Sequence, residues 1–124
     1  MCVFRFEREG FNSAEYLSKN LLSPAPYLDW HNGFCIAASD ADSYDFEIQK
    51  QDVINFLMAN YAELERLMSD GESWGSLDFG IANLISEAGF WSQSEYLQPE
   101  LLRLAGNLGL TIGISRYAIC NENQ

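Results

Sequence analysis

With 124 residues, 48% of them apolar and 14% aromatic, the chain has the composition of one well-cored globular domain, spanning 1–124. Such a domain needs no disulfide or metal staples to bury most of its apolar surface. The net charge is −11, from 18 acids against seven Lys and Arg, and nine of those acids but only two bases fall between Asp40 and Glu72. A field of that sign repels phosphate backbones and anionic lipid surfaces and favours basic partners; with no basic stripe to displace condensed counterions, nucleic-acid binding is not expected.

No apolar run approaches the ~20 residues of a membrane span. The N-terminus alternates apolar and charged residues instead of showing the apolar core of a signal peptide, so the expected location is cytoplasmic. Cys2, Cys35 and Cys120 are odd in number and widely spaced. They suit small buried hydrophobes better than a disulfide framework or a zinc ribbon.

Taken in order, residues 2–7 alternate as a half-buried strand, with Cys2, Phe4 and Phe6 on one side. Gly10 breaks it, and Asn12 or Ser13 is placed to cap a helix from Ala14 to Leu22, with Tyr16, Leu17 and Leu21 inward. Ser23 to Pro26 ends that helix, since proline has no amide hydrogen to continue it. Tyr27 to Gly33 reads as a loop holding Trp30 and His31. The mostly apolar Phe34 to Ser39 suits a central strand buried on both faces.

An acidic lead, Asp40 to Glu47, enters the dominant stretch of the chain, Ser43 to Gly71. Val53, Phe56, Leu57, Tyr61, Leu64, Leu67 and Met68 recur there at helical spacing, while Lys50, Asp52, Asn55, Asn60, Glu63, Glu65 and Arg66 occupy the other face. One long half-buried helix is predicted, stopped at Asp70-Gly71. Trp74 to Ala82 alternates as a strand with Leu77, Phe79 and Ile81 inward. Asn83 to Ser94, including Phe90 and Trp91, forms a further short strand or an edge-covering loop. Pro99 opens a third helix to Leu108, with Leu101, Leu102, Leu104 and Leu108 as its apolar face and Gly109 as its stop. Leu110 to Ile119 is the last strand, with Ile112, Ile114 and Tyr117 inward. The order β-α-β-α-β-(β)-α-β indicates an α+β or α/β sandwich, one mixed sheet with about three helices packed on it.

Few constellations could carry chemistry. Asp40, Asp42, Asp45 and Glu47 are the densest oxygen ligands, but a calcium loop starting at Asp40 would have Asp45 where glycine is needed and Gln51 where glutamate is needed. His31 and Cys35 fall on different local structures, with no oxyanion loop to make a thiol enzyme. The glycines lack the lysine or the strand-to-helix setting of a phosphate cradle. Distance decides which carboxylates pair for acid–base work; Asp78, on a strand near Trp74, is the one to inspect, and an outward strand carboxylate is its plain reading. No catalytic residue, cofactor or metal site is assigned. Trp30, Trp74 and Trp91 remain as anchors of the kind enriched at binding hot spots.

Three stretches, Phe4 to Glu15, Ser43 to Met68, and Tyr96 to Leu110 with Ile114 to Tyr117, carry a resemblance to a family of small bacterial α+β domains that includes immunity proteins of polymorphic toxin systems. It lies in core positions across nearly the whole chain and brings no catalytic residue. The resemblance and the charge together imply a non-enzymatic acidic binding protein of the immunity or antitoxin kind. Asp40, Asp42, Asp45 and Glu47, with Trp30, Trp74 and Trp91, would meet a basic toxin or nuclease. The competing expectations are a module that dimerises through its last strand or the Trp91 region, and a small metal-dependent hydrolase using Asp78, His31 or the Asp40–Glu47 carboxylates.

Overall fold

The computed structural model describes residues 1–85 and 92–118. Its elements are β1 (Cys2–Glu7), α1 (Ser13–Leu17), β2 (Leu28–Trp30), β3 (Gly33–Ser39), α2 (Phe46–Ala59), α3 (Tyr61–Met68), β4 (Trp74–Ala82), α4 (Pro99–Leu108) and β5 (Thr111–Tyr117). The five strands form one mixed sheet in the order β2-β3-β1-β4-β5, an α+β fold. The first four strands pair antiparallel. β5 runs parallel to β4, the geometry that a helical crossover such as α4 permits.

Register decides which side chains meet the helices. Phe4 lies opposite Ile36 and Leu77, Phe6 opposite Phe34, and Cys2 opposite Phe79, so these side chains share one face. That face packs on Tyr16, Val53, Phe56, Leu57, Leu64, Leu67, Leu101, Ala105 and Leu108 from the four helices, in one core cluster. Phe4, Phe6, Phe34, Phe79, Leu57, Leu64, Leu77 and Leu101 are wholly buried. Aromatic rings dominate the β1–β3 end: Phe6 meets Phe11 edge-on at 4.9 Å, and Tyr16 stacks on Phe34 at 5.8 Å. Among the described residues no helix is long and apolar enough to cross a membrane.

The predicted alternation of β1 and β4, the buried β3, and the bounds of α4 all hold. Gly109 sits at φ +73° as the left-handed cap of α4, a conformation glycine reaches without steric cost. Asn12 caps α1 by accepting from the Glu15 amide at 3.1 Å. That helix is shorter than expected, ending at Leu17, and it leaves Leu21 exposed while Leu22 is buried. The expected loop at Tyr27 to Gly33 contains a strand, β2, paired with β3 through a tight turn. Within α4 the inward residues are Leu101, Ala105 and Leu108, not Leu102. The expectations for Phe90 and Trp91 fall on 86–91, outside the described residues, as does the end of the last predicted strand at Ile119.

The single long helix is in fact two, α2 and α3, meeting at Asn60 (φ −111°, ψ 12°). The helical spacing puts Asn60 on the polar face, yet it is buried because its side chain is a clamp. Oδ1 accepts from the Ser23 amide at 3.0 Å, and Nδ2 donates to the carbonyls of Ser23 at 2.8 Å and Phe56 at 2.9 Å. An asparagine that takes a helix carbonyl for itself competes with the regular ladder, here in exchange for fixing the 18–27 connection against the core. Truncating it removes three hydrogen bonds, two to the part-buried Ser23 backbone and one to the Phe56 carbonyl, which keeps the Asn60 amide as its donor. Asn60→Ala is expected to cost about 1–3 kcal/mol in urea unfolding, and a loss under a few tenths would show the clamp to be unimportant.

Lys50 is buried for a comparable reason. Its ammonium donates to Glu47 at 2.8 Å and to the Tyr96 carbonyl at 2.6 Å, and it lies 4.7 Å from the Phe46 ring. Gln49, next to it, is fully buried and ties the Asp42 carbonyl (3.0 Å) to that of Gly80 (2.8 Å).

Candidate functional site

All four described helices pack on one side of the sheet. No described helix covers the other. Its surface is set by the strand positions that alternate away from the core: Leu28 and Trp30 of β2, Cys35 and Ala37 of β3, and Val3, Arg5 and Glu7 of β1. β4 adds Trp74, Ser76 and Asp78, and β5 adds Thr111, Gly113, Ser115 and Tyr117. Apart from the aromatics these are mostly small, so the face is a shallow floor between rings.

Three side chains from three strands form its centre. The Arg5 guanidinium lies 4.8 Å from the Trp30 ring and 5.9 Å from the Trp74 ring, a cation between two π faces. Trp30 is fixed twice. Its Nε1 donates to Glu7 at 3.1 Å, and its ring lies on Gly33, where a Cβ would come within 2.5 Å of both the ring and the Phe6 carbonyl. Glycine at 33 is therefore what allows the indole to lie flat. Trp74, at the start of β4, is 45% exposed. At the far end of the face the Tyr117 ring lies over Gly80 in the same manner. Tyr117 is exposed, not a core residue, because the β5 register turns Ile112 and Ile114 inward and Tyr117 out.

Beside Trp74 the face sinks into a cavity of about 420 Å³ lined by Val3, Arg5, Cys35, Trp74, Ser76, Asp78, Thr111 and Gly113. Asp78 accepts from the Ser115 hydroxyl at 2.9 and 3.1 Å. Burial pushes the Cys35 thiol up from its ordinary value against the opposing pull of Arg5, so it stays protonated near neutral pH and is a poor nucleophile. His31 stands apart, exposed in the β2–β3 turn.

The seven expected binding residues therefore divide. Trp30 and Trp74, 44 positions apart in the chain, come together across Arg5. Asp40, Asp42, Asp45 and Glu47 lie at the opposite end of the strands, in the β3–α2 connection and the first turn of α2, about 17 Å away over the length of β1 at ~3.4 Å per residue. Trp91 lies outside the described residues. Asp42 accepts from the Tyr44 amide at 2.8 Å, Asp45 takes the N-cap position of α2 without a side-chain cap bond, and Asp40 is exposed. Among the described residues no three His, Cys, Asp or Glu side chains converge as metal ligands would.

The acids do bracket the open face. Asp40 to Glu47 lies past one end of the strands, and Glu9, Asp70 and Glu72 lie in the loops past the other, where Asp70 is 3.7 Å from Arg8. Arg5 was missed from the sequence because an isolated arginine in an alternating strand looks like any solvent-facing residue. Only the sheet marks it out, by setting β1 beside β4, which begins at Trp74, and one strand away from β2, which ends at Trp30. Comparison with protein-family models, with curated proteins and with solved structures finds no match.

Proposed function

We propose that the chain is a non-enzymatic acidic binding protein of the immunity or antitoxin kind. It would hold a basic toxin or nuclease by protein–protein contact on the open face of its sheet. The observation that carries the reading is the Trp30–Arg5–Trp74 row. Trp and Arg are the residue types most enriched at interface hot spots, and here they are pre-set on a hydrogen-bonded sheet instead of a loop, which lowers the ordering cost of binding. The acidic loops at both ends of the strands supply the second component, a rim whose charge steers a basic partner and favours it over acidic ones. In this arrangement the Asp40–Glu47 stretch sets the rate of encounter and the tryptophans set the lifetime of the complex.

The rim is tested by reversing its charge where no structural bond is lost. Asp40→Lys with Asp45→Lys leaves the Asp42 turn bond intact and gives up only the favourable interaction of Asp45 with the α2 N-terminus, roughly 0.3–1 kcal/mol. Association with the partner is expected to slow about tenfold or more at low salt. Dissociation and the melting temperature should change little. An unchanged association rate would remove the acidic loop from the site.

A further inference from the structure

The open face holds two charged side chains that have no counter-charge among the described residues. The ion pairs among the described residues are Arg8–Asp70, Lys50–Glu47, Arg66–Glu63 and Arg116–Glu95; neither Arg5 nor Asp78 takes part in one. Glu7, the other acid on this face, is engaged by the Trp30 indole. Arg5 is held by its two π faces alone, leaving the five N–H donors around its edge unused among the described residues. Asp78 receives the Ser115 hydroxyl and, among the described residues, no cation.

Their spacing is set by the sheet. Arg5 lies opposite Ser76 and Val3 opposite Asp78, so Arg5 and Asp78 are diagonal neighbours on one face, with Cβ atoms about 7–8 Å apart or somewhat less. Opposite charges so placed ordinarily reach each other. Here the two indoles draw the guanidinium off, and the cavity opens beside both groups. Its volume of about 420 Å³ is within the usual range for small-molecule sites. Its floor is kept low by Gly113, Ser76 and Cys35; a Cβ at Gly113 would already stand 3.3 Å from Asp78 Oδ1.

We propose that this cavity binds a small zwitterion of the free amino-acid class. The α-carboxylate takes the exposed edge of Arg5, the α-ammonium takes Asp78, and an apolar side chain lies against Trp74 and Val3. The charge pattern selects this class. A simple anion meets Asp78 and the −11 field of the whole chain, and a simple cation meets Arg5. A ligand neutral overall with both charges one carbon apart satisfies both groups without opposing the field. A protein terminus carries only one of the two charges. The site shares Arg5 and Trp74 with the proposed partner surface but rests on the Arg5–Asp78 charge pair and the cavity, so the partner assignment survives if it fails.

The test is isothermal titration of the full chain with leucine and phenylalanine, with N-acetyl-leucine and leucinamide as ligands lacking one charge each. Saturable binding is expected at up to about 10 mM ligand. Each blocked form should bind at least about tenfold more weakly, and Arg5→Gln and Asp78→Asn, both at exposed positions, should each lower affinity as much. Gly113→Val, which fills the cavity without removing a charge, should abolish binding. The proposal is overturned by no heat with either amino acid, by blocked forms that bind as well as the free ones, or by binding that survives either charge substitution.

Discussion

Phe4→Ala is expected to lower stability by about 3–5 kcal/mol, a fall in melting temperature on the order of 10–20 °C for a domain of this size. Phe4 is fully buried at the middle of the central strand. Its ring contacts Phe34 at 6.3 Å and Phe56 at 5.6 Å, which joins β1, β3 and α2 in one packing unit. The described helices lie on one side only, so a void at Phe4 has a rigid sheet beneath it and α2 above, and little can move in to fill it. Thermal unfolding followed by circular dichroism measures this directly. A loss below about 1 kcal/mol would mean that the sheet–helix layer is not the main source of stability.

The second large effect concerns binding instead of folding. Trp74→Ala removes a half-exposed indole that no described helix packs on, so its stability cost should be small. Its cost in partner affinity should be at least about 2 kcal/mol, roughly thirtyfold, and should appear mainly as faster dissociation. Trp30→Ala should match it in affinity but also loosen the site, because Trp30 covers Gly33 and engages Glu7. Surface plasmon resonance against the purified partner separates the two rate constants. Equal lifetimes for the wild type and both variants would remove the tryptophans from the interface.

Periodicity carried most of the fold. The alternation of Cys2, Phe4 and Phe6, and of Leu77, Phe79 and Ile81, located two strands and their inward faces, and the Pro99 and Gly109 pair bounded α4. What periodicity could not show was long-range satisfaction of polar groups. Lys50 and Asn60 have the side chains of a solvent-facing stripe and are buried because the Tyr96 and Ser23 backbones come to meet them. β2 is three residues long, too short for any alternation to register, and it is a strand only because β3 offers it an edge.

The site was legible in its residue types but not in its assembly. Trp30 and Trp74 stood out as anchors, and the acids as a partner-selecting field. Their separation onto a face and its rim, and the place of Arg5 between the rings, depend on the register of β1 against two strands far from it in sequence. A one-residue slip would have turned Arg5 into the core. The acids seemed a single patch because they are contiguous in the chain, whereas the sheet carries them to the end opposite the tryptophans.

The most direct test of the central claim is a pull-down from cells that natively make the protein, with wild type and a Trp30→Ala/Trp74→Ala variant side by side, washed at low and high salt, and bound proteins identified by mass. The account predicts one stoichiometric basic protein on the wild type, thinned by high salt and absent from the double variant. The same protein held equally by both baits, or a wild-type lane containing this chain alone, would contradict it.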